Sequence, residues 1–85
     1  MPTRVLLFAY PKELLQGAAE CSVTLEGASP SLADLLARLA EAFPALLPVL
    51  PSCAFAVEAT LIPQSLEAST AAPPTVALIP PVSGG

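Results

Sequence analysis

Arg4-Val5-Leu6-Leu7-Phe8-Ala9-Tyr10 is the stretch that decides the fold. It is apolar on both of its alternating faces, so it reads as a strand covered on both sides, of the kind that lies beside a parallel neighbour. A counterpart stands at the other end of the chain, Thr75-Val76-Ala77-Leu78-Ile79-Pro80. It has the same two-sided character. Two such strands, one first and one last, suit a central parallel pair.

Between them, Pro11 to Gln16 begins with proline, contains good helix formers and stops at Gly17, which predicts a single helical turn. Cys21 to Glu26 alternates, with Cys21, Val23 and Leu25 on one side and Ser22, Thr24 and Glu26 on the other. It is a half-buried strand that forms a hairpin with the first. Gly27 to Pro30 is a turn. Ser31-Leu32-Ala33-Asp34 has the form of a capping box, and Leu32, Leu35, Leu36, Leu39 and Phe43 follow at helical spacing. Asp34, Arg38 and Glu41 occupy the polar side. Pro44 ends this main helix, and Pro44, Pro48 and Pro51 make an irregular connector. Cys53 to Leu61 reads as a third strand, with Phe55 and Val57 on one face. Ile62 to Pro74 reads as a loop with one short strand near Ser65–Glu67.

Strand, strand, helix, strand, weak strand, strand is the order of a β-grasp (ubiquitin-like) α+β fold: a mixed sheet of four to five strands with one main helix across one face. Residues 1–80 form that domain, and 81–85 form an extended tail. One helix covers one side of the sheet. The other side is expected to expose an apolar patch lined by Leu6, Phe8 and Leu78, and such patches mark protein interfaces.

Eighty-five residues make one domain. A domain this small buries only about 60–65% of the surface its unfolded chain exposes, which leaves little room for an internal catalytic pocket. The chain is 54% hydrophobic and 12% charged, with a mean hydropathy of +0.72, which argues against disorder. Its apolar runs are too short for a membrane span or a signal peptide, so the expectation is a soluble cytosolic protein. Three basic against seven acidic residues give a net charge of −4. Nucleic acid is therefore a poor partner, since phosphate binding needs clustered Lys and Arg; an electropositive protein fits better. The chain has no histidine, and so lacks the usual general base and the commonest metal ligand. Cys21 and Cys53 lack the spacing of a zinc or redox motif and read as inert packing. Neither a metal nor a permanently bound cofactor is expected.

The end, Pro80-Pro81-Val82-Ser83-Gly84-Gly85, carries the chemistry. Pro80 and Pro81 stiffen the exit from the last strand. Six extended residues reach roughly 20 Å, enough to place a carboxylate inside another protein. Two glycines, without Cβ atoms, thread a narrow channel and leave the Gly85 carboxylate open to attack. A carboxylate is a poor electrophile until a nucleotide activates it, and that step requires a partner.

The run Val76 to Gly85 resembles the C-terminus of the small subunit of molybdopterin synthase, as do Val5-Leu6-Leu7-Phe8-Ala9, the helix end Phe43-Pro44, and Phe55-Ala56-Val57-Glu58. The resemblance implies a sulfur carrier with no catalytic residue of its own. An adenylating enzyme of the ubiquitin-activating type would use ATP to link AMP transiently to Gly85. Sulfur would then replace AMP to give a thiocarboxylate. Pro80, Pro81, Val82, Ser83 and Gly84 would carry it into the large synthase subunit, in an assembly of two large and two small subunits. There the sulfur would convert cyclic pyranopterin monophosphate to the molybdopterin dithiolene. The chain departs from this family before the last strand, where Ala71-Ala72-Pro73-Pro74-Thr75 replaces an acidic Asp-Gly-Asp turn.

Three other readings share some of these residues. A thiamine- or tRNA-pathway carrier, or a protein modifier, also ends in Gly-Gly. An interaction domain would need the fold but not the carboxylate. A cysteine nucleophile would need a base that the chain lacks. Lys12 and Arg38 read as solvated surface charges, and Asp34 and Glu41 as the polar helix face.

Overall fold

The computed structural model describes residues 2–80. Five strands and two α-helices run β1 (Pro2–Leu7), α1 (Ala9–Leu14), β2 (Glu20–Thr24), α2 (Leu32–Ala42), β3 (Ala54–Val57), β4 (Thr60–Ile62) and β5 (Thr75–Ile79). The sheet order is β2-β1-β5-β3-β4. β1 and β5 are parallel and central, and every other pairing is antiparallel. This is the β-grasp arrangement expected from the two apolar terminal strands.

β1 begins and ends earlier than the sequence suggests. Pro2 and Thr3 are in the strand, and Thr3 is buried. Ala9 adopts a left-handed backbone, φ +54°, and turns the chain into α1. Pro11 is tolerated there because the first turn of a helix has no use for its missing N–H. Ala9 and Tyr10 therefore belong to α1 and not to the strand. β2 likewise starts one residue early, at Glu20, and ends at Thr24, although Leu25 remains buried.

The capping box at the start of α2 is formed as expected. The Asp34 N–H donates to the Ser31 hydroxyl at 3.2 Å, and the Ser31 N–H donates to the Asp34 carboxylate at 2.8 Å. Leu32, Leu35 and Leu39 on one side of α2 are fully buried against the sheet. Their partners are Val5 and Leu7 of β1, Val23 of β2, Phe55 of β3, and Val76 and Leu78 of β5. Beyond Pro44 the connector holds two 3-10 helices, Pro44–Leu46 and Leu50–Ser52, which drive Leu46 and Leu50 into the same core.

The stretch Cys53–Leu61 is not one strand. Glu58 and Ala59 both have positive φ, +50° and +68°, and form a two-residue turn that pairs Val57 with Thr60 and Phe55 with Ile62. Such turns normally carry Asn-Gly or Asp-Gly, and Glu-Ala hides this one. The strand expected at Ser65–Glu67 is instead part of a 3-10 helix, Gln64–Ser69. The segment that follows is tied to the start of α2. The Leu32 N–H donates to the Thr70 carbonyl at 2.9 Å and the Ala72 N–H to the Pro30 carbonyl at 2.9 Å. These bonds flank Ala71, at the start of the stretch where the chain departs from the acidic turn of the family it resembles.

Candidate functional site: the sheet face and the root of the tail

β5 delivers the tail. Its place between β1 and β3 anchors it by hydrogen bonds on both edges. Because β1 and β5 are parallel, they end at the same side of the molecule, and Phe8 follows β1 there just as Pro80 follows β5. Pro80 is the last described residue. Pro81, Val82, Ser83, Gly84 and Gly85, the stretch expected to enter a partner and carry the sulfur, lie outside the described residues.

Strand alternation assigns the two faces. Val5, Leu7, Val76, Leu78 and Phe55 face α2. Leu6, Ala77, Ile79, Ala54 and Ala56 face the other way, and the cross-strand pairs Leu6–Ala77, Ala77–Ala56, Ala54–Ile79 and Ala56–Leu61 run across that open side. Its centre is flat because three of its side chains are alanine. Leu61, 58% exposed, stands on the edge strand. Arg4 and Glu20 close the other margin with a two-point ion pair of 2.6 and 2.9 Å. Each raises the other's preference for its charged form: the Glu20 carboxyl is lowered by the Arg4 hydrogen bond, and the Arg4 guanidinium is raised by Glu20. Both are solvent-exposed, so the pair contributes orientation rather than much stability.

This corrects one of the three residues expected on the open face. Leu78 is wholly buried against the helix side, because its pairing with Leu7 places it on the core face. Its neighbours Ala77 and Ile79 take the open positions. Leu6 does face outward and is half-buried. Phe8 is 48% exposed but lies past the strand, as the residue that precedes α1, near the root of the tail. A signal for the true alternation was present in the sequence. Arg4 marks the even positions of β1 as the wet side, and Thr75 marks the odd positions of β5.

The thiols do not offer a nucleophile. Cys21 and Cys53 are both free. Burial, with a smaller contribution from Glu20, pushes Cys21 up to about 11, and burial raises Cys53 as well. Both are protonated at neutral pH. No group of three or more metal-ligating residues occurs among the described residues, and among them no helix is long and apolar enough to cross a membrane.

The sequence profile of the ThiS family matches residues 5–85. The chain belongs to the ThiS family. It is therefore a ubiquitin-like protein of the sulfur-carrier or modifier type. The structure is similar to the crystal structure of SAMP1 from Haloferax volcanii, with a TM-score of 0.75, 25% sequence identity and full coverage of both chains. No curated protein matches this sequence. The ThiS match runs through the Gly-Gly end, so the stretch beyond Pro80 is part of the family pattern and not an appendage to it.

Proposed function

We propose that this ThiS-family protein is the cytosolic sulfur-carrying subunit of molybdopterin synthase. The observation that carries the reading is a central strand, held on both edges, that is followed directly in the sequence by Pro80-Pro81-Val82-Ser83-Gly84-Gly85. A firmly anchored β5 makes the domain a handle for the residues that follow it in the chain.

In the proposed cycle the Gly85 carboxylate attacks the α-phosphorus of ATP on an adenylating partner and releases pyrophosphate. A sulfide-equivalent nucleophile displaces AMP and leaves a thiocarboxylate. The tail then enters the large synthase subunit, whose groups catalyse attack of the thiocarboxylate sulfur on the cyclic pyranopterin monophosphate; water then hydrolyses the resulting thioester, which leaves the sulfur on the pterin and returns Gly85 to a carboxylate. This chain contributes the carried sulfur, its delivery, and the docking surface formed by Leu6, Ala77, Ile79 and Leu61, with Phe8 at the tail root. The likeness to SAMP1 supports a second reading, in which activated Gly85 is passed to protein amines as in ubiquitin-like modifiers.

Intact mass after incubation with ATP, a sulfur source and an adenylating enzyme tests the chemistry. A gain of about 16 Da, oxygen exchanged for sulfur, is expected. An unchanged mass with a competent enzyme rejects the carrier role. Recovery of a large synthase subunit on the thiocarboxylate form supports the molybdopterin assignment. Recovery of a thiazole synthase, or of lysine conjugates, replaces it with the corresponding rival.

A further inference from the structure

Glu67 sits where a carboxylate is out of place. It lies in the Gln64–Ser69 3-10 helix and is only 4% exposed. No hydrogen bond or ion pair to its side chain exists among the described residues. Yet no side-chain oxygen in the described part of the molecule is sealed from solvent without a partner. The Glu67 oxygens therefore keep a narrow contact with water, and the groove that Glu67 lines supplies it.

That groove, about 580 Å³, runs along a second apolar stripe of α2 formed by Ala33, Leu36, Ala37 and Ala40, with Leu47 and Leu50 opposite. Glu67 is the sole ionisable residue that lines it. Arg4 is engaged by Glu20 on the open sheet face. Arg38 lines a different groove with Asp34 and Glu41, and Lys12 is on α1. The Gln64 side chain donates to the Pro51 and Cys53 carbonyls, which fixes the 3-10 helix and holds Glu67 in this wall. Burial alone raises the Glu67 carboxyl above the ordinary carboxylate range.

We propose that this groove is a second docking site, which receives a lysine or arginine side chain of a partner protein with its charged end on Glu67. A long basic side chain lays an apolar stem along apolar walls and carries its charge at the tip, which matches alanines and leucines leading to one carboxylate. A lone carboxylate in such walls lacks the further oxygens that calcium or magnesium would need. The net charge of −4 favours approach of a basic partner. The carboxylate that is poorly compensated in the free protein gains a charge-assisted hydrogen bond in the complex. The groove belongs to the helix layer, so it remains open while the opposite sheet face is occupied.

NMR on the isotopically labelled full chain tests this with two peptides, Ac-Leu-Ala-Lys-Ala-Leu-amide and its norleucine analogue, which keeps the stem and lacks the charge. The lysine peptide should shift the amides of Ala33, Ala37, Ala40 and Glu67 saturably and bind at least fivefold tighter than the analogue. It should also move the Glu67 carboxyl titration downward. Glu67→Gln should bind both peptides equally. Carboxyl titration of the unmutated chain needs no variant, so the test survives if Glu67→Gln folds poorly. Equal affinity for the two peptides, or shifts confined to the open sheet face, would overturn the proposal. So would a Glu67 titration in the free protein that changes with Lys12→Gln, since a second copy would then be filling the groove.

Discussion

Replacing Leu78 and Leu6 separately by alanine tests the assignment of the sheet faces, on which the docking surface depends. The two leucines are one residue out of phase on adjacent central strands. Leu78 is fully buried, paired with Leu7 on one side and Phe55 on the other. The central sheet cannot collapse around a missing isobutyl group, so Leu78→Ala should cost about 3–4 kcal/mol through lost burial and the cavity left behind. Leu6 is half-buried on the open face, and its truncation should cost about 1 kcal/mol, with no cavity. A domain of this size has roughly 4–13 kcal/mol of stability in all. With a urea slope near 1 kcal/mol per molar, Leu78→Ala should lower the unfolding midpoint by about 3–4 M and Leu6→Ala by about 1 M. The chain has no tryptophan, so circular dichroism at the helix band is the suitable probe. A Leu6→Ala penalty equal to or larger than that of Leu78→Ala would refute the face assignment. It would also remove Leu6 from the proposed docking surface.

Other consequences follow from single features of the structure. The Glu58-Ala59 turn holds two non-glycine residues at positive φ; replacing them by Asn-Gly should gain about 1–2 kcal/mol and raise the melting temperature by about 5–10 °C, and an unchanged melting temperature would argue against the turn. Cys21, pushed to about 11 from 9.0, should react with iodoacetamide at pH 8 roughly ninetyfold more slowly than an unperturbed thiol, in proportion to its thiolate fraction; mass spectrometry of the time course reads this directly. Glu67 has a folded pKa raised above its unfolded value, so the native state binds more protons and stability falls as pH rises through that window. Glu67→Gln should flatten this pH dependence and be the more stable form at neutral pH, as measured by urea melts at pH 4 and 7.

Much of the architecture was legible because its signals are local. The capping box at Ser31 and Asp34 needs only four residues, and the apolar stripe of α2 needs only its period. The two-sided apolarity of β1 and β5 is enough to name them the central parallel pair. What escaped was conditional on partners distant in sequence. The β3–β4 turn is stabilised by the ladder around it and not by its own residues, so Glu-Ala gave no sign of a hairpin. Glu67 read as the end of a short strand in the Ile62–Pro74 loop, and its burial was not legible because it depends on α2 and the Leu50–Ser52 turn folding over it.

For function, the sequence by itself determined the Pro-Pro-Val-Ser-Gly-Gly stretch and the lack of a histidine base, on which the proposed role of Gly85 rests. These are matters of composition and chain order, which folding does not alter. The tertiary structure decided which residues stand on the open sheet face, the proposed docking surface. A two-sided apolar strand does not reveal which side the helix will cover. Only the registers of β1 with β5 and of β5 with β3 put Leu78 inside and left Leu6, Ala77 and Ile79 on the open face. A shift of one residue would exchange the two sets, because strand side chains alternate with a period of two.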